Sequence, residues 1–565
     1  MVGLARGLAK LDVIPAVEAE GRSWKFVGIW AKNRREWLET LLASQHLEGT
    51  VVGLYDAMGP IEVEYILNQT ELPIMFAASA YVDKILAMKK DGQASKVKTL
   101  VSFDSVTDAQ IAIASEIGVQ LLRYQEDLIQ VGSESSDLEL SVPKSSDIYL
   151  MSYTSGTTGD PKGVKISHKM AIHSAEGLSD LLNLNESDSH LSYLPYVHVF
   201  EQAMLASSMI KGSTFGYYSG NPKLLTEDMQ NLKATIFPGV PRVHNIIHDK
   251  LRAGFAALEG PTGEFVKGAV ATKLAALKEN GALTHEKFDA AFAKPRALLG
   301  GKVRLIISAA APIDSVVMDF LKIVFGCPML EAYGMTELGG ATHATDPTDF
   351  KTGQVGGPTH SIAQKLKDVP EMDYYVTDQP YPRGELLVAS PQVTTGYFKR
   401  QDKTDEAIID GWYHSGDVVE MFPNGSVRII DRAKNIFKLS QGEYIAPQKM
   451  DNIFALSPLI AQCMVYGDSL KDFVVAVVVP DVAAVEAWVQ ENKFGDFEIE
   501  DVIITDELKT ALMASMTQLA DENKLSRLER PRYIHVTLDA FTVENGILTP
   551  TMKLKRNKGR DHFAA

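Results

Sequence analysis

The stretch YTSGTTGDPKGVKISH, residues 153–168, decides how the rest of the chain is interpreted. Short hydroxyl side chains are interleaved with glycines in its first half, so backbone amides and hydroxyls can close on an anion without bulky side chains between them. Pro161 and Gly163 keep the segment from continuing as a helix, and the apolar run 148–151 before it predicts a buried strand end. We therefore predict a polyphosphate-binding loop whose contacts come from Thr154, Ser155, Gly156, Thr157, Thr158, Gly159 and Lys162.

This loop differs from the phosphate loop of strand-loop-helix nucleotide hydrolases. That loop ends in Gly-Lys followed by Ser or Thr, whereas Lys162 is followed by Gly163. The alternative to a binding loop is a flexible linker rich in Ser, Thr and Gly. The order of six hydroxyl and glycine positions disfavours this alternative. The stretch resembles the signature loop of the adenylate-forming enzymes, which include acyl-CoA synthetases, luciferases and peptide-synthetase adenylation domains. The resemblance implies that ATP binds at this loop.

Composition and charge narrow the class of protein. The chain has 565 residues, 45% hydrophobic and 23% charged, which is typical of a globular enzyme with more than one domain. A net charge of -16 argues against a nucleic-acid partner. Cys327 and Cys463 stand in apolar settings without metal-like spacing, which predicts buried thiols in a reducing compartment. No apolar run reaches the roughly 20 residues of a membrane span. We expect a cytoplasmic protein or one peripherally on an intracellular membrane, and its oligomeric state stays open.

Strand-like and helical segments alternate from residue 25 onward. Residues 25–30 and 50–54 are strand-like, and residues 34–44 between them are helical. This pattern predicts an α/β fold with a large N-terminal domain of mostly parallel sheets covered by helices. The run YDAMGP at 55–60 resembles the opening of eukaryotic-type long-chain acyl-CoA synthetases, in which more chain usually precedes this point. A helical pair predicted within 243–300 also resembles that branch.

The resemblance implies a second, smaller domain. Asp431 and Arg432 look like the boundary between a large N-terminal domain, residues 1–431, and a mobile α+β C-terminal lid, residues 432–565. Lys434 would lie at the hinge. The remainder of the chain alternates short strands and helices, which is enough for a compact lid.

Two strand ends are predicted to form the adenine and metal pocket. Residues 303–307 and 329–332 are strand-like, and ligands of open α/β sheets bind at the carboxyl ends of such strands. Small residues after the first strand would admit a planar base. After the second comes YGMTE, in which a tyrosine can stack on the base and a glutamate can bind Mg²⁺. The predicted contacts are Ala310, Glu331, Tyr333 and Gly334 for the nucleotide, Thr336 and Glu337 for catalysis, and Thr154 and Glu337 for the metal. The family commonly has Gly where this chain has Ala309, which slightly crowds the pocket.

Three further residues are assigned by the family pattern. Asp417 is predicted to accept both ribose hydroxyls, with Arg432 near the ribose, although spacing alone would favour a surface pair. Asn424 and Gly425 between two strand-like runs predict a hairpin turn. His198 follows Leu-Pro in a matching motif that flanks the acyl pocket, so we predict a role there over that of a structural histidine.

The C-terminal part is predicted to serve two reactions. Lys553, in LTPTMKLKR, falls on the lysine of the family's closing motif, and the apolar residues on either side argue for a loop that is held in place. This lysine would neutralise charge while the acid attacks ATP. The lid would then turn and present Lys438 and Gly442 to coenzyme A, with the glycine allowing the pantetheine arm to pass.

The expected activity is that of a long-chain fatty acid CoA ligase, with ATP, Mg²⁺ and coenzyme A as cofactors and substrates. A ligase for medium-chain or aromatic acids is the alternative within the same class, because sequence spacing does not identify the acyl-pocket residues. A catalytically silent acyl-CoA or nucleotide-binding relative and a luciferase-like oxygenating enzyme are alternatives from other classes.

Overall fold

The computed structural model describes residues 1–135, 137–154, 160–441, 443–468, 470–492 and 498–564. The chain has the predicted α/β fold and divides into two compact units. Unit 1 contains Met1–Ala311, Val316–Ala363 and Val388–Tyr413, and unit 2 contains Pro312–Ser315, Gln364–Leu387 and His414–Ala565. A functional division at residues 431 and 432 stays a prediction.

The first sheet of unit 1 carries the predicted phosphate loop. Parallel pairing joins all of its strands except the Val17–Ala19 edge and the final pair, which are antiparallel. Such strands are covered on both faces and are therefore apolar along their whole length. The spatial order is Gln120–Arg123, Thr99–Ser102, Ile74–Ala77, Arg22–Trp30 (with Val17–Ala19 beside it), Gly49–Leu54, Ile148–Thr154 and Lys162–Ser167.

The second sheet of unit 1 carries the predicted adenine and metal pocket. Its first five strands are parallel and its last two pairings are antiparallel, so several carboxyl ends meet at one edge. The sequence predicted that one strand ends at residue 332, but it continues to Met335 because the ladder with the next strand extends it. The order is Thr214–Tyr217, Ser189–Ser192, Ile236–Gly239, Leu305–Ala309, Met329–Met335, Gly340–Ala344 and Gly357–Pro358.

Helices cover these sheets, and local capping explains several of their ends. The hydroxyl of Thr107, for example, accepts from the amide of Gln110, and the amide of Thr107 donates to the side-chain oxygen of Gln110, which together form a capping box. The helical pair predicted within 243–300 is confirmed. The helices up to residue 407 are Val2–Leu11, Arg35–Gln45, Pro60–Thr70, Ser79–Lys90, Asp108–Glu116, Tyr124–Gln130, Val131–Ser133, His168–Leu181, Val199–Lys211, Pro222–Leu224, Leu225–Leu232, Pro241–Ala256, Gly260–Asn280, Asp289–Phe292, Ala293–Ala297, Ser315–Phe325, Thr336–Leu338, Pro370–Met372 and Gln401–Ala407.

Two further sheets and a short ladder lie later in the chain. One has the order Ala363–Lys367, Arg383–Ala389, Trp412–Met421, Ile408–Ile409, with Val427–Arg432 paired to Trp412–Met421, which confirms the predicted hairpin. The other has the order Ile460–Gly467, Val474–Pro480, Tyr533–Val536, and Phe437–Lys438 pairs with Tyr444–Ile445. Helices Pro447–Phe454, Val482–Glu491, Ile499–Val502, Asp506–Glu522, Arg527–Glu529 and Arg556–His562 complete unit 2.

Two predictions from the sequence concern the cysteines and possible membrane spans. Cys327 and Cys463 are free and buried, and burial raises the pKa of the Cys327 thiol to about 12. Within the described ranges, no helix is both long enough and apolar enough to cross a membrane.

Candidate functional site

The predicted phosphate loop connects two antiparallel strands of unit 1. Thr154 ends the first strand and lies opposite Lys162, which begins the second. The Thr154 hydroxyl donates to the Lys162 carbonyl at 3.5 Å. The Lys162 ammonium lies 4.4 Å from the ring centroid of Tyr397, a cation–π contact. The other predicted contacts, Ser155, Gly156, Thr157, Thr158 and Gly159, lie outside the described residues.

Thr336 and Glu337 lie in a short 3₁₀ turn after the Met329–Met335 strand. The amide of Gly339 donates to the Thr336 carbonyl at 3.0 Å, and the φ of Gly339 is 67°, a value that favours glycine. Both predicted residues are 9% exposed. The hydroxyl of Tyr397 donates to Oε1 of Glu337 at 2.8 Å. A buried carboxylate is therefore oriented by a phenol at the edge of the sheet at which ligands of open α/β folds generally bind.

A second tyrosine lies close to the same carboxylate. Burial raises the pKa of Tyr413 well above its ordinary value, and the negative charge of Glu337 raises it further. The backbone is fixed here as well, because the Thr394 amide donates to the Glu337 carbonyl at 2.8 Å. The surroundings of Glu337 therefore keep the Tyr413 hydroxyl protonated beside a carboxylate.

Tyr333 and Gly334 lie at a β-bulge of the same strand. The Tyr333 ring is 5.7 Å from the His343 ring in an edge-on arrangement. A Cβ atom on Gly334 would lie 1.9 Å from the Gly340 carbonyl oxygen, so a glycine is required for the two backbones to approach. Glu331, earlier in the strand, is 4% exposed, and its amide donates to the hydroxyl of Thr345 at 2.9 Å.

Ala310 adopts a backbone conformation that alanine rarely takes. Its φ is 77°, and it directly follows the Leu305–Ala309 strand. Such strained residues persist where the surrounding structure over-determines them, and they cluster at functional sites. The sequence directed attention to Ala309 as the family's usual glycine position, whereas the unusual φ occurs one residue later.

His198 is the N-cap of the Val199–Lys211 helix. Its Nδ1 accepts from the amide of Phe200 at 3.2 Å, and the side chain is half-buried. The imidazole therefore caps the start of this helix, and its role in the acyl pocket stays a prediction.

Asp417 and Arg432 are a cross-strand pair in unit 2. They are register partners in the ladder between Trp412–Met421 and Val427–Arg432, and the guanidinium lies 3.0 Å from the carboxylate. The Asp417 side chain is 6% exposed and the Arg432 side chain 49%. The ion pair that spacing alone suggested exists, and it holds the proposed ribose acceptor in one orientation.

Asp431 organises the junction that follows this ladder. Its carboxylate accepts from the amide of Arg432 at 2.7 Å, from the side chain of Asn435 at 3.0 Å and from the amide of Gln448 at 3.0 Å. Burial nevertheless raises its pKa. Lys434 is exposed in the turn that follows. The backbone is hydrogen-bonded on both sides of this lysine, from the Ala433 amide to the Gly416 carbonyl at 2.9 Å and from the Asn435 amide to the Arg432 carbonyl at 2.9 Å. A hinge at Lys434 stays a prediction.

Lys438 is exposed in the short ladder Phe437–Lys438 with Tyr444–Ile445. Its ammonium lies 4.7 Å from the ring centroid of Tyr444. Gly442, the predicted partner for coenzyme A, lies outside the described residues.

Lys553 lies in a tight turn, exposed to solvent. Its amide donates to the Thr549 hydroxyl at 3.0 Å, and the Thr549 amide donates to its carbonyl at 2.8 Å. Leu548 and Leu554 form a β-bridge across the turn and pack in an apolar cluster. The prediction that this loop is held in place is confirmed.

The predicted residues thus form two groups, one in each unit. In unit 1, Lys162 and Glu337 meet at Tyr397, and in unit 2, Asp417 meets Arg432. Sequence reasoning did not find Tyr397, in TTGYFKR, or Tyr413, in GWYHSG, since each looks like any aromatic residue of a buried segment.

Comparisons with known proteins identify the family of the chain. The model of the family "AMP-binding enzyme" matches residues 4–398. Long chain acyl-CoA synthetase 6, peroxisomal, of Arabidopsis thaliana is 36% identical over 540 residues, which cover 95% of this chain and 76% of that protein. Fatty acyl-CoA synthetase A of Dictyostelium discoideum is 35% identical over 542 residues, covering 95% and 80%.

Solved structures show the same fold. The A-PCP didomain of a carboxylic acid reductase from Segniliparus rugosus, in complex with AMP, superimposes with a TM-score of 0.79 at 25% identity, covering 100% of this chain and 73% of that one. The o-succinylbenzoate CoA synthetase of Bacillus subtilis, in complex with ATP and magnesium, has a TM-score of 0.64 at 20% identity, covering 98% and 91%. Because the family model matches residues 4–398 and a relative with 36% identity aligns with 95% of the chain, the chain belongs to the AMP-binding, adenylate-forming enzyme family.

Proposed function

We propose that the protein is a long-chain fatty acid CoA ligase. It would activate a fatty acid with ATP, release pyrophosphate and transfer the acyl group to coenzyme A. The observation that carries the proposal is the extent of the similarity to acyl-CoA synthetases, 36% identity across 95% of the chain. The helical pair Pro241–Ala256 and Gly260–Asn280, which resembles the long-chain branch, supports it.

The first half-reaction is an electrostatic problem. A carboxylate oxygen forms a bond to the α-phosphorus, the bond from that phosphorus to the bridging oxygen breaks, and pyrophosphate leaves. Both reactants are anionic, so the site must supply positive charge where they meet. Lys162 and Lys553 would supply it, and Thr336 would donate to a phosphoryl or acyl oxygen.

The residues of unit 1 fit a magnesium ion. Mg²⁺ is usually held by one or two carboxylates together with substrate phosphates and water, and not by a cage of protein ligands. Glu337 offers one buried, oriented carboxylate, and the described residues contain no cluster of three or more His, Cys, Asp or Glu that could hold a metal ion. Glu337 and Thr154 would hold the ion, which when bound offsets the charge of the triphosphate.

Five residues are proposed to contact or shape the nucleoside site, and a sixth to position one of them. Tyr333 would stack on the adenine next to Ala310, and Glu331 and Gly334 would shape the same pocket. Asp417 would accept the ribose hydroxyls while Arg432 holds its carboxylate in place. The short, fully oriented pair at 3.0 Å supports this role, because a carboxylate already fixed in one rotamer loses less entropy on binding.

The second half-reaction forms the thioester. The coenzyme A thiol attacks the acyl carbonyl and AMP leaves. The predicted lid, residues 432–565, would turn near Lys434, withdraw Lys553 and present Lys438 and Gly442. The similarity of the Asp431-Arg432 junction to the family's domain boundary supports a hinge at this residue. His198 would flank the acyl chain. Because the substrate is lipidic, we expect the protein in the cytoplasm or peripherally on an intracellular membrane.

Acid-dependent pyrophosphate release tests the proposal. The purified full chain is supplied with ATP, Mg²⁺, coenzyme A and palmitate, octanoate, coumarate or acetate in parallel, and both pyrophosphate and thioester are quantified. The expected result is the highest kcat/KM with palmitate. A preference for octanoate or coumarate would favour the alternative ligase. A folded protein that binds ATP but releases no pyrophosphate with any acid would refute ligase activity and favour a silent relative.

A further inference from the structure

We propose that Tyr397 is a positioning residue of the adenylation site, whose hydroxyl orients Glu337 for the Mg²⁺–triphosphate group and whose ring holds Lys162 for the phosphates. The inference rests on the proposed function, since both charged residues are assigned there to ATP. Tyr397 contacts both, and it is 3% exposed.

The hydroxyl acts on the orientation of the carboxyl group. The terminal torsion of a glutamate side chain has a broad energy profile, so an unassisted carboxylate rotates readily. An ionised carboxylate only accepts hydrogen bonds, and Tyr397 donates to Oε1 of Glu337 at 2.8 Å within a buried site. The bond therefore fixes the plane in which the carboxylate presents its oxygens. Partners of this kind behind a metal-binding group typically change metal affinity or activity by about 10- to 100-fold.

The ring acts on the lysine. The Lys162 ammonium lies 4.4 Å from the ring centroid, where the electronegative face attracts a cation. A lysine side chain has several rotatable bonds and loses considerable freedom when it is fixed. Tyr397 thus contacts a cation through its face and an anion through its hydroxyl. One side chain can therefore set the relative placement of two groups that bind the same triphosphate.

The backbone around Tyr397 is tied to both neighbours. The amide of Phe398 donates to the Gly163 carbonyl at 2.8 Å, next to Lys162. On the other side, the Thr394 amide donates to the Glu337 carbonyl at 2.8 Å. The segment is therefore a bridge between the strand after the phosphate loop and the turn that contains Glu337, and its tyrosine has a defined position.

Two variants separate the hydroxyl from the ring. Tyr397→Phe keeps the ring and removes the hydroxyl, whereas Tyr397→Leu removes both. ATP binding is measured by calorimetry over a Mg²⁺ series and in EDTA. We expect Tyr397→Phe to raise the Mg²⁺ concentration for half-maximal enhancement of ATP binding about 10-fold, with unchanged binding in EDTA. Tyr397→Leu is expected to weaken ATP binding in EDTA as well, by about 3-fold.

Tyr149→Phe is the matched control. Tyr149 is a 5%-exposed tyrosine of unit 1 whose hydroxyl lies 3.4 Å from Gln202, and its variant should bind Mg²⁺ and ATP like the parent. The Tyr397→Phe variant alone decides whether the hydroxyl positions Glu337, because this substitution preserves packing. Its thermal midpoint should stay within about 3 °C of that of the parent protein. Unchanged or tighter Mg²⁺ dependence in Tyr397→Phe would overturn the inference. Absence of acid-dependent pyrophosphate release from the parent protein would instead overturn the proposed function, and the calorimetric shift would remain measurable.

Discussion

Replacing Arg556 with methionine tests how unit 2 holds the segment that carries Lys553. Arg556 begins the last helix, donates to the Val465 carbonyl at 3.1 Å and pairs with Asp451. Asp451 is 6% exposed and also accepts from the Val465 amide at 2.7 Å. Methionine has a similar length and no charge, so the variant leaves a buried carboxylate without its cation. Removing one partner of a buried pair typically costs about 3–5 kcal/mol.

The pKa of Asp451 determines how this loss depends on pH. Burial raises it from 3.8 to about 6, even though Arg556 lowers it. The difference is equivalent to about 3 kcal/mol. Because the folded-state pKa lies above the unfolded-state value, the stabilising contribution is complete below 3.8 and is lost as the pH rises through about 6. Without Arg556 the folded-state pKa rises further. The full loss is therefore expected at pH 8, and a smaller loss at pH 5, where the buried carboxyl takes up a proton.

Native-state hydrogen exchange of the full chain measures this effect. The opening free energy of the Ile460–Gly467 strand is followed at pH 5 and pH 8. Lys558→Met is the control, since Lys558 lies on the same helix and is exposed. Adding Asp451→Asn to Arg556→Met should recover most of the loss at pH 8. Equal losses at both pH values, or no recovery in the double variant, would refute the reasoning.

Three further predictions concern the proposed site. Lys553→Ala should abolish pyrophosphate release while thioester formation from supplied acyl-adenylate continues, and equal loss of both would contradict the two roles of unit 2. Gly334→Ala should prevent stable folding of the bulge or displace it, because its Cβ would lie 1.9 Å from the Gly340 carbonyl oxygen; an unchanged thermal midpoint and KM for ATP would contradict this. Asp417→Asn weakens both the bond to Arg432 and the proposed ribose contact, so KM for ATP should rise about 10-fold, whereas binding of inorganic pyrophosphate should not change.

The sequence predicted the elements that depend on local patterns. The alternation of apolar strands and amphipathic helices indicated the parallel sheets, and Asn424-Gly425 indicated the hairpin that pairs Asp417 with Arg432. Both features follow from side-chain period and turn chemistry, which are readable over a few residues. The strand at Met329–Met335 was predicted too short, because its last residues are held by a neighbouring strand and not by their own propensity.

The contacts that sequence reasoning missed are distant along the chain. Tyr397 and Glu337 are 60 positions apart, and no spacing rule connects them. The positive φ of Ala310 was also missed, because alanine carries no signal for that conformation. Such features arise from tertiary packing, so they become visible only when the strands and loops are placed in three dimensions.

The cross-strand pairing of Asp417 with Arg432 limits how the length of this region can vary. Successive residues of a strand point to opposite faces, so adding or removing one residue between Asp417 and the turn, without a compensating bulge such as the one after Val418, would move its carboxylate to the other side of the sheet. The turn around Gly425 lies outside the ladder, so a change in its length does not alter the face on which Asp417 lies. Insertions and deletions among relatives should therefore accumulate at the tip of this hairpin, and loop grafting there should leave nucleotide affinity intact.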